Sequence, residues 1–236
     1  MKIENKTILI TGANRGIGQA LVEEALKRGA KHVYAATRTS FTHTDKRVTP
    51  IVMDVTNPSQ IKEAVSKIDS LDILINNAGI YLYDDLSDPT AFEKQLAVHL
   101  YGTQGVTQAF LAALTNSKGA VVNNLSLLAL APLPFNPGYC ISKAAAFSYT
   151  QSLRALVASR GIKVHAVLTG PTDTEMTKGL EIPKSSPQVT AKGIFDGVEN
   201  NEEEIFPDPM SATMAEAWRN SGAKAMELQY AAMVPA

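Results

Sequence analysis

A phenol and an ammonium stand one helical turn apart in Tyr139-Cys140-Ile141-Ser142-Lys143, and a hydroxyl, Ser126, lies thirteen residues earlier at the end of an apolar run. Residues four apart on a helix are neighbours, so the spacing brings Lys143 beside Tyr139. Free tyrosine titrates near ~10. A positive charge roughly 4 Å away, at an effective dielectric of ~20, favours the phenolate by up to ~4 kcal/mol, about 3 pK units. Such a pair exchanges protons near neutral pH, and the Ser126 hydroxyl would hold a carbonyl oxygen beside the phenol. Tyr-x-x-x-Lys is a common pattern by itself. What precedes it gives it weight.

The first apolar run, Thr7-Ile8-Leu9-Ile10, ends in Thr11-Gly12-Ala13-Asn14-Arg15-Gly16-Ile17-Gly18. Leu21, Val22, Ala25 and Leu26 then repeat at helical spacing until Gly29 stops the pattern. A strand, a glycine turn and a helix start aim unpaired backbone N–H groups at a pyrophosphate. Gly12 permits the tight turn, and Gly16 and Gly18 permit close approach. The spacing is G-x-x-x-G-x-G rather than the general G-x-G-x-x-G.

The next strand, His32-Val33-Tyr34-Ala35-Ala36, leads into Thr37-Arg38. An NAD site places Asp or Glu about 20 residues past the glycine turn, against the ribose 2′-hydroxyl. Arginine there suits a 2′-phosphate instead, and Arg15 adds a second positive charge on the same side. Two arginines and no acid argue for NADP(H).

Together these segments resemble a short-chain dehydrogenase/reductase, from Lys6 to about Asp208. Five motifs stand in the family's order: Thr11-Gly12-x-x-x-Gly16-x-Gly18, Asp54 after the third strand, Asn76-Asn77-Ala78-Gly79, Ser126 with Tyr139-x-x-x-Lys143, and Gly170-Pro171 leading to Thr174. The resemblance implies that Asp54 and Val55 flank an adenine and that Asn77, Ala78 and Gly79 line the cofactor. It implies also that Lys143 grips the nicotinamide ribose and that Thr174 and the backbone near Thr172 meet the carboxamide. The implied assembly is a homodimer or homotetramer through helices at 89–114 and 137–159, with Tyr101, Phe110, Phe147 and Tyr149 either in that interface or packed inside.

Two positions depart from the family. Its Val-Asn-Leu-x-Gly run reads Val98-His99-Leu100-Tyr101-Gly102 here, and Thr169-Gly170-Pro171 replaces the usual Pro-Gly. The family's Asn is thought to hold a kink and a water linked to the active-site lysine. His99 either keeps that proton relay through its two ring nitrogens or leaves it to the main chain.

The chain has 236 residues, 45% apolar, which fits one α/β domain spanning 1–236. Alternating strand and helix patterns predict a Rossmann-like, doubly wound, seven-stranded, mainly parallel sheet with helices on both faces. Expected strands are 7–11, 32–37, 48–53, 71–76, 119–124, 162–168 and 203–206; expected helices are 16–28, 57–69, 89–114, 137–159, 187–200 and 211–232. The acidic run Glu202-Glu203-Glu204 reads as the solvated start of the last strand. A net charge of −1 gives no nucleic-acid footprint. No apolar run reaches the ~18 residues of a membrane span, and the early first strand leaves no room for a signal peptide. The single cysteine, Cys140, fits the cytoplasm. The four histidines, His32, His43, His99 and His165, show no metal-ligand spacing, so no metal is expected.

Leu127, Leu128, Leu130, Leu133 and Phe135 lie between Ser126 and Tyr139, where a pocket wall belongs. Residues 175–187, with Met176, Leu180 and Ile182, resemble the family's substrate lid. No anion clamp stands near the chemistry, which favours a neutral, hydrophobic ketone or secondary alcohol. The expected activity is hydride transfer with NADPH, with Tyr139 protonating the oxygen. A lyase or dehalogenase on this fold would lose the nucleotide site, and a nucleotide-sensing protein without turnover would lose Tyr or Lys; both features are present.

Overall fold

Strand β1 (Thr7–Thr11) is buried along its whole length, because both faces of the sheet are covered. Its side chains alternate: Ile8 and Ile10 enter one apolar core and Leu9 enters the other. Ile73 and Ile75 of β4 (Ile73–Asn76) follow Ile8 and Ile10, and Leu74 follows Leu9. The computed structural model describes residues 1–87 and 89–234. With β2 (His32–Thr37), β3 (Val48–Val52), β5 (Ala120–Asn124), β6 (Lys163–Val167) and β7 (Glu204–Ile205), these strands form one sheet in the order β3-β2-β1-β4-β5-β6-β7. Every pairing among the described residues is parallel.

One face carries α1 (Gly16–Lys27) and α6 (Pro187–Glu199), whose Leu21, Val22, Ala25, Ile194, Phe195 and Val198 pack together. The other carries α2 (Pro58–Ser66), α4 (Thr103–Ser117) and α5 (Pro137–Val157). Local signals set the starts. Asn57 caps α2 and Ser186 caps α6, each followed by a proline at the first helical position. The strand order reverses between β1 and β4, so a crevice opens at the carboxyl ends of these strands, where ligands of such sheets bind.

Three expectations change. The helix expected over 89–114 is α3 (Pro89–Leu96), a π-helical turn (Ala97–Gly102) and α4, so the kink expected near His99 is one wide turn. The expected 211–232 helix is three pieces: α7 (Pro209–Ala212), α8 (Ala215–Arg219) and α9 (Gly222–Ala231). Asp208 caps α7, and Ser221 caps α9 after the break at Asn220. The acidic run is not merely solvated. Glu204 is buried, and Glu203, Glu204 and Glu227 surround Lys224 and Arg154, tying α9 to β7 and α5. Of the four aromatic residues weighed for an interface, Phe110 and Phe147 are buried in the core, Tyr149 is half-buried and Tyr101 is exposed. No helix among the described residues is long and apolar enough to cross a membrane.

Candidate active site

The glycine turn between β1 and α1 is held to the end of β4 by one buried hydroxyl and one amide. Thr11 Oγ1 accepts the N–H groups of Asn77 (2.9 Å) and Ala78 (3.0 Å). Asn77 Nδ2 donates to the carbonyls of Thr11 (2.9 Å) and Gly12 (3.3 Å). The fit requires glycine. Gly12 has φ +67°, and a Cβ there would lie 2.9 Å from Ala78 Cα; a Cβ on Gly18 would lie 2.0 Å from Gly12 O. At the start of α1, Arg15 offers no side-chain cap and no acid stands in the first turn, so its first N–H groups face the crevice without a protein anion. Arg15 and Arg38 are exposed, and neither side chain has a hydrogen-bond or ion-pair partner among the described residues. Asn14 is exposed and Ile17 packs against the α1 core. The hydroxyl of Thr37 is turned to the Thr39 carbonyl (2.5 Å).

From this turn a continuous set of contacts reaches the phenol. Asn124 Nδ2 donates to Asn77 Oδ1 (2.9 Å), and Lys143 Nζ donates to the Asn124 carbonyl (3.0 Å). Lys143 lies over the Tyr139 ring, 5.7 Å from its centroid. The ring of His99 meets the same phenol edge-on at 5.4 Å, with Gly79 behind it. Ser126, buried at the end of β5, accepts from the Leu128 N–H (3.1 Å). Thr174, at the root of the lid, packs on Gly16: a Cβ there would be 3.1 Å from Thr174 Cγ2. Thr172 is buried and bridges to Ser185 across the base of the 175–187 segment. Gly170 donates to Asp208 Oδ2 at 2.8 Å. Asp54 is turned to its own α2 approach, accepting from Thr56, while Val55 is buried toward the π turn. A recess of about 530 Å³ between α2 and α4, lined by Val55, Ile61 and Tyr101, includes none of Ser126, Tyr139 and Lys143.

Electrostatics depart from the simple pairing expected of Tyr139 and Lys143. Tyr139 is half-buried, and desolvation pushes its phenol up to about 12, with the Ser126 hydroxyl pulling back. Burial pushes Lys143 down to about 8. The helical spacing holds, yet Nζ is drawn to the Asn124 carbonyl and sits over the ring face, and desolvation dominates at the phenol.

His99 also differs from expectation. Ile80 N–H donates to its Nε2 (3.1 Å), so that nitrogen carries a lone pair. Its Nδ1 faces Ser142 Oγ (2.8 Å), whose own proton goes to the Tyr139 carbonyl (2.7 Å). The ring is therefore neutral and bears its proton on Nδ1. Burial, and then the Lys143 ammonium, push its pKa down to about 2. Both nitrogens are committed to structure, so of the two readings of His99 the relay has no free nitrogen to run through, and the main-chain reading is favoured.

The profile of the short chain dehydrogenase family matches residues 6–184. The chain belongs to this family. Estradiol 17-beta-dehydrogenase 2 of Mus musculus is 31% identical over 199 residues, covering 77% of this chain and 52% of the mouse protein, so the chain spans about half of that relative. 2-(S)-Hydroxypropyl-CoM dehydrogenase 3 of Xanthobacter autotrophicus is 33% identical over 207 residues, 81% of each chain. A short chain dehydrogenase of Burkholderia cenocepacia, solved in complex with NADP, superposes with a TM-score of 0.89 at 33% identity, covering 97% of this chain and 98% of that one. In this short-chain dehydrogenase several residues that frame the site stood outside the motifs, namely Asn124, Asp208, Tyr81 and Asp84, and Ser142 stood inside one as an unassigned position. Only Asn124, beside Asn123 at the end of a predicted strand, carried a signal, because an amide there has no apolar reason to be present.

Proposed function

We propose that this short-chain dehydrogenase is an NADPH-dependent carbonyl reductase acting on neutral, apolar ketones. The observation that carries the reading is the unbroken set of contacts from the glycine turn through Asn77, Asn124 and Lys143 to Tyr139. Fit to the cofactor is supported by the uncapped start of α1 and by a turn in which a Cβ on Gly12 or Gly18 would collide. Gly12, Asn14, Gly16, Ile17 and Gly18 would hold the pyrophosphate. Arg15 and Arg38, with Thr37, would take a 2′-phosphate, a reading that the NADP complex of the Burkholderia relative supports. Asp54 and Val55 would lie at the adenine, Asn77, Ala78 and Gly79 along the ribose, and Gly170, Thr172 and Thr174 near the carboxamide. When bound, the nicotinamide supplies the hydride.

The chain's own residues supply the rest. Ser126 holds the substrate oxygen, and Tyr139 donates its proton to it. A phenol near 12 stays protonated at neutral pH, which suits donation to a ketone oxygen better than abstraction from an alcohol. The Lys143 ammonium offsets the negative charge left on the phenol. Tyr81, Tyr83, Leu133, Phe135, Met176, Leu180 and Ile182 are exposed on the loops after β4, after β5 and in the lid, which supports an apolar substrate. The names of the estradiol and hydroxypropyl-CoM relatives support alcohol–carbonyl chemistry. Assembly through α4 and α5, with Tyr101 exposed beside α4, and a cytoplasmic location belong to the same proposal. Loss of NADPH absorbance over a panel of apolar ketones tests it. Turnover with NADPH and not NADH is expected; tight NADPH binding without turnover of any ketone would contradict it.

A further inference from the structure

The helix that carries Tyr139 and Lys143 is not capped by its own sequence. Asn136 stands at the N-cap position of α5, yet its side chain caps nothing; its Oδ1 accepts the Tyr81 hydroxyl (2.5 Å). Pro137 has no N–H, so Gly138 is the first residue of the helix with a donor to satisfy. That donor meets Asp84 Oδ1 at 3.2 Å, from the loop after β4. Asp84 is itself buried, and its Oδ2 accepts Gln95 Nε2 (2.9 Å) from α3. Gln95 is fully buried, and its Oε1 accepts the Leu82 N–H (3.3 Å). The carboxylate occupies the space a side chain at 138 would fill: a Cβ on Gly138 would lie 2.3 Å from Asp84 Oδ2.

We propose that Asp84 is a positioning residue for proton transfer, a cap supplied from another loop that fixes the first turn of α5 and with it the Tyr139 phenol. This rests on the reading of Tyr139 as proton donor. The negative charge lies at the positive end of the helix, where it stabilises the helix start. Gln95 and the Leu82 amide in turn fix the carboxylate. Tyr81, held on Asn136 and edge-on to Tyr139 at 5.9 Å, clasps the same turn from the crevice side. The Asn77–Gly79 segment that faces the cofactor and the residue that gives the proton are thus joined by one short loop.

The test combines kinetics with hydrogen exchange. With NADPH and a ketone the parent reduces, Asp84→Ala should lower kcat roughly ten- to hundredfold, as expected for a small displacement of the acid. NADPH affinity, read by fluorescence titration, should stay within a few-fold. Asp84→Asn, which keeps an oxygen for the Gly138 N–H but loses the charge and the bond from Gln95, should restore part of kcat. Gly138→Ala, which pushes the carboxylate out without changing it, should reproduce the Asp84→Ala loss, and the double variant should be no slower than either single one. Gly138→Ala carries the kinetic test should Asp84→Ala not fold. In the unliganded protein, amides of 138–142 should lose exchange protection in Asp84→Ala while those of 19–27 keep theirs. Unchanged protection at 138–142, additive losses, or an Asn variant as slow as the Ala variant would overturn the proposal. Lost protection at 138–142 in Asp84→Ala, together with a parent that reduces no ketone, would sink the reductase reading and leave the cap standing.

Discussion

On the cofactor side of Tyr139, placement comes from main-chain hydrogen bonds and close approach: Thr11 and Asn77 tie backbone to backbone, and Gly12 and Gly18 leave no room for a Cβ. On the substrate side it comes from side chains reaching from the loop after β4 to the start of α5: Tyr81 to Asn136 and Asp84 to Gly138. The first construction leaves no room for a side chain at Gly12 or Gly18, which suits the cofactor proposed to bind there. The second lets the loops vary around a fixed acid, which is how one scaffold admits different substrates.

Gly18→Ala should break the cofactor side most severely. Its Cβ would meet main chain at 2.0 Å; overpacking costs about 1–3 kcal/mol, or roughly ten- to hundredfold in NADPH affinity by titration. A smaller, selective loss is expected of Arg15→Ala with Arg38→Ala. Charge-assisted hydrogen bonds contribute about 1.5–3 kcal/mol, so NADPH affinity should fall by about tenfold or more while NADH affinity holds; equal losses for both would refute the arginine reading. On the substrate side, Tyr83→Ala with Phe135→Ala should raise KM for a bulky apolar ketone a few-fold and leave NADPH affinity alone, since both side chains are exposed.

The buried histidines sharpen the comparison in stability rather than rate. His99 and His165 have folded pKa values pushed down to about 2 and about 4, mainly by burial. Both are neutral when folded, whereas the unfolded chain takes up protons below ~6.5. Stability should therefore be full above that pH and fall as pH drops from 6.5, toward 4 for His165 and toward 2 for His99, by about 1.4 kcal/mol per pH unit for each. His99→Asn should shallow this slope in urea unfolding, yet leave the shape of the kcat–pH profile unchanged. A mildly acidic ionisation in kcat that disappears in His99→Asn would restore the relay.

The glycine turn was legible in the sequence because its constraints are local: a strand before it, a helix after it, and glycines where a Cβ would collide. Strand and helix order were legible for the same reason, since burial on both faces gives apolar runs and amphipathic helices. The π turn was legible only as a kink implied by the family resemblance, because Ala97–Gly102 reads as ordinary helix. Asp84 and Gln95 were invisible for a different reason. They are separated by eleven residues, and their partner Gly138 lies 54 residues from Asp84, so no spacing rule connects them. The effect of Lys143 on Tyr139 was read correctly as proximity and wrongly as a lowered pKa, because a sequence does not state how deeply both groups are buried.

The central claim is that Tyr139 gives the proton in an NADPH-dependent reduction, and Tyr139→Phe tests it most directly. The ring still fills its place between His99 and Tyr81, so the NADPH dissociation constant should stay within a few-fold of the parent's. A positioned acid contributes about 10²–10⁴ in rate, and kcat for ketone reduction should fall by that factor. Near-parental kcat in Tyr139→Phe, with NADPH bound as tightly as before, would contradict the account.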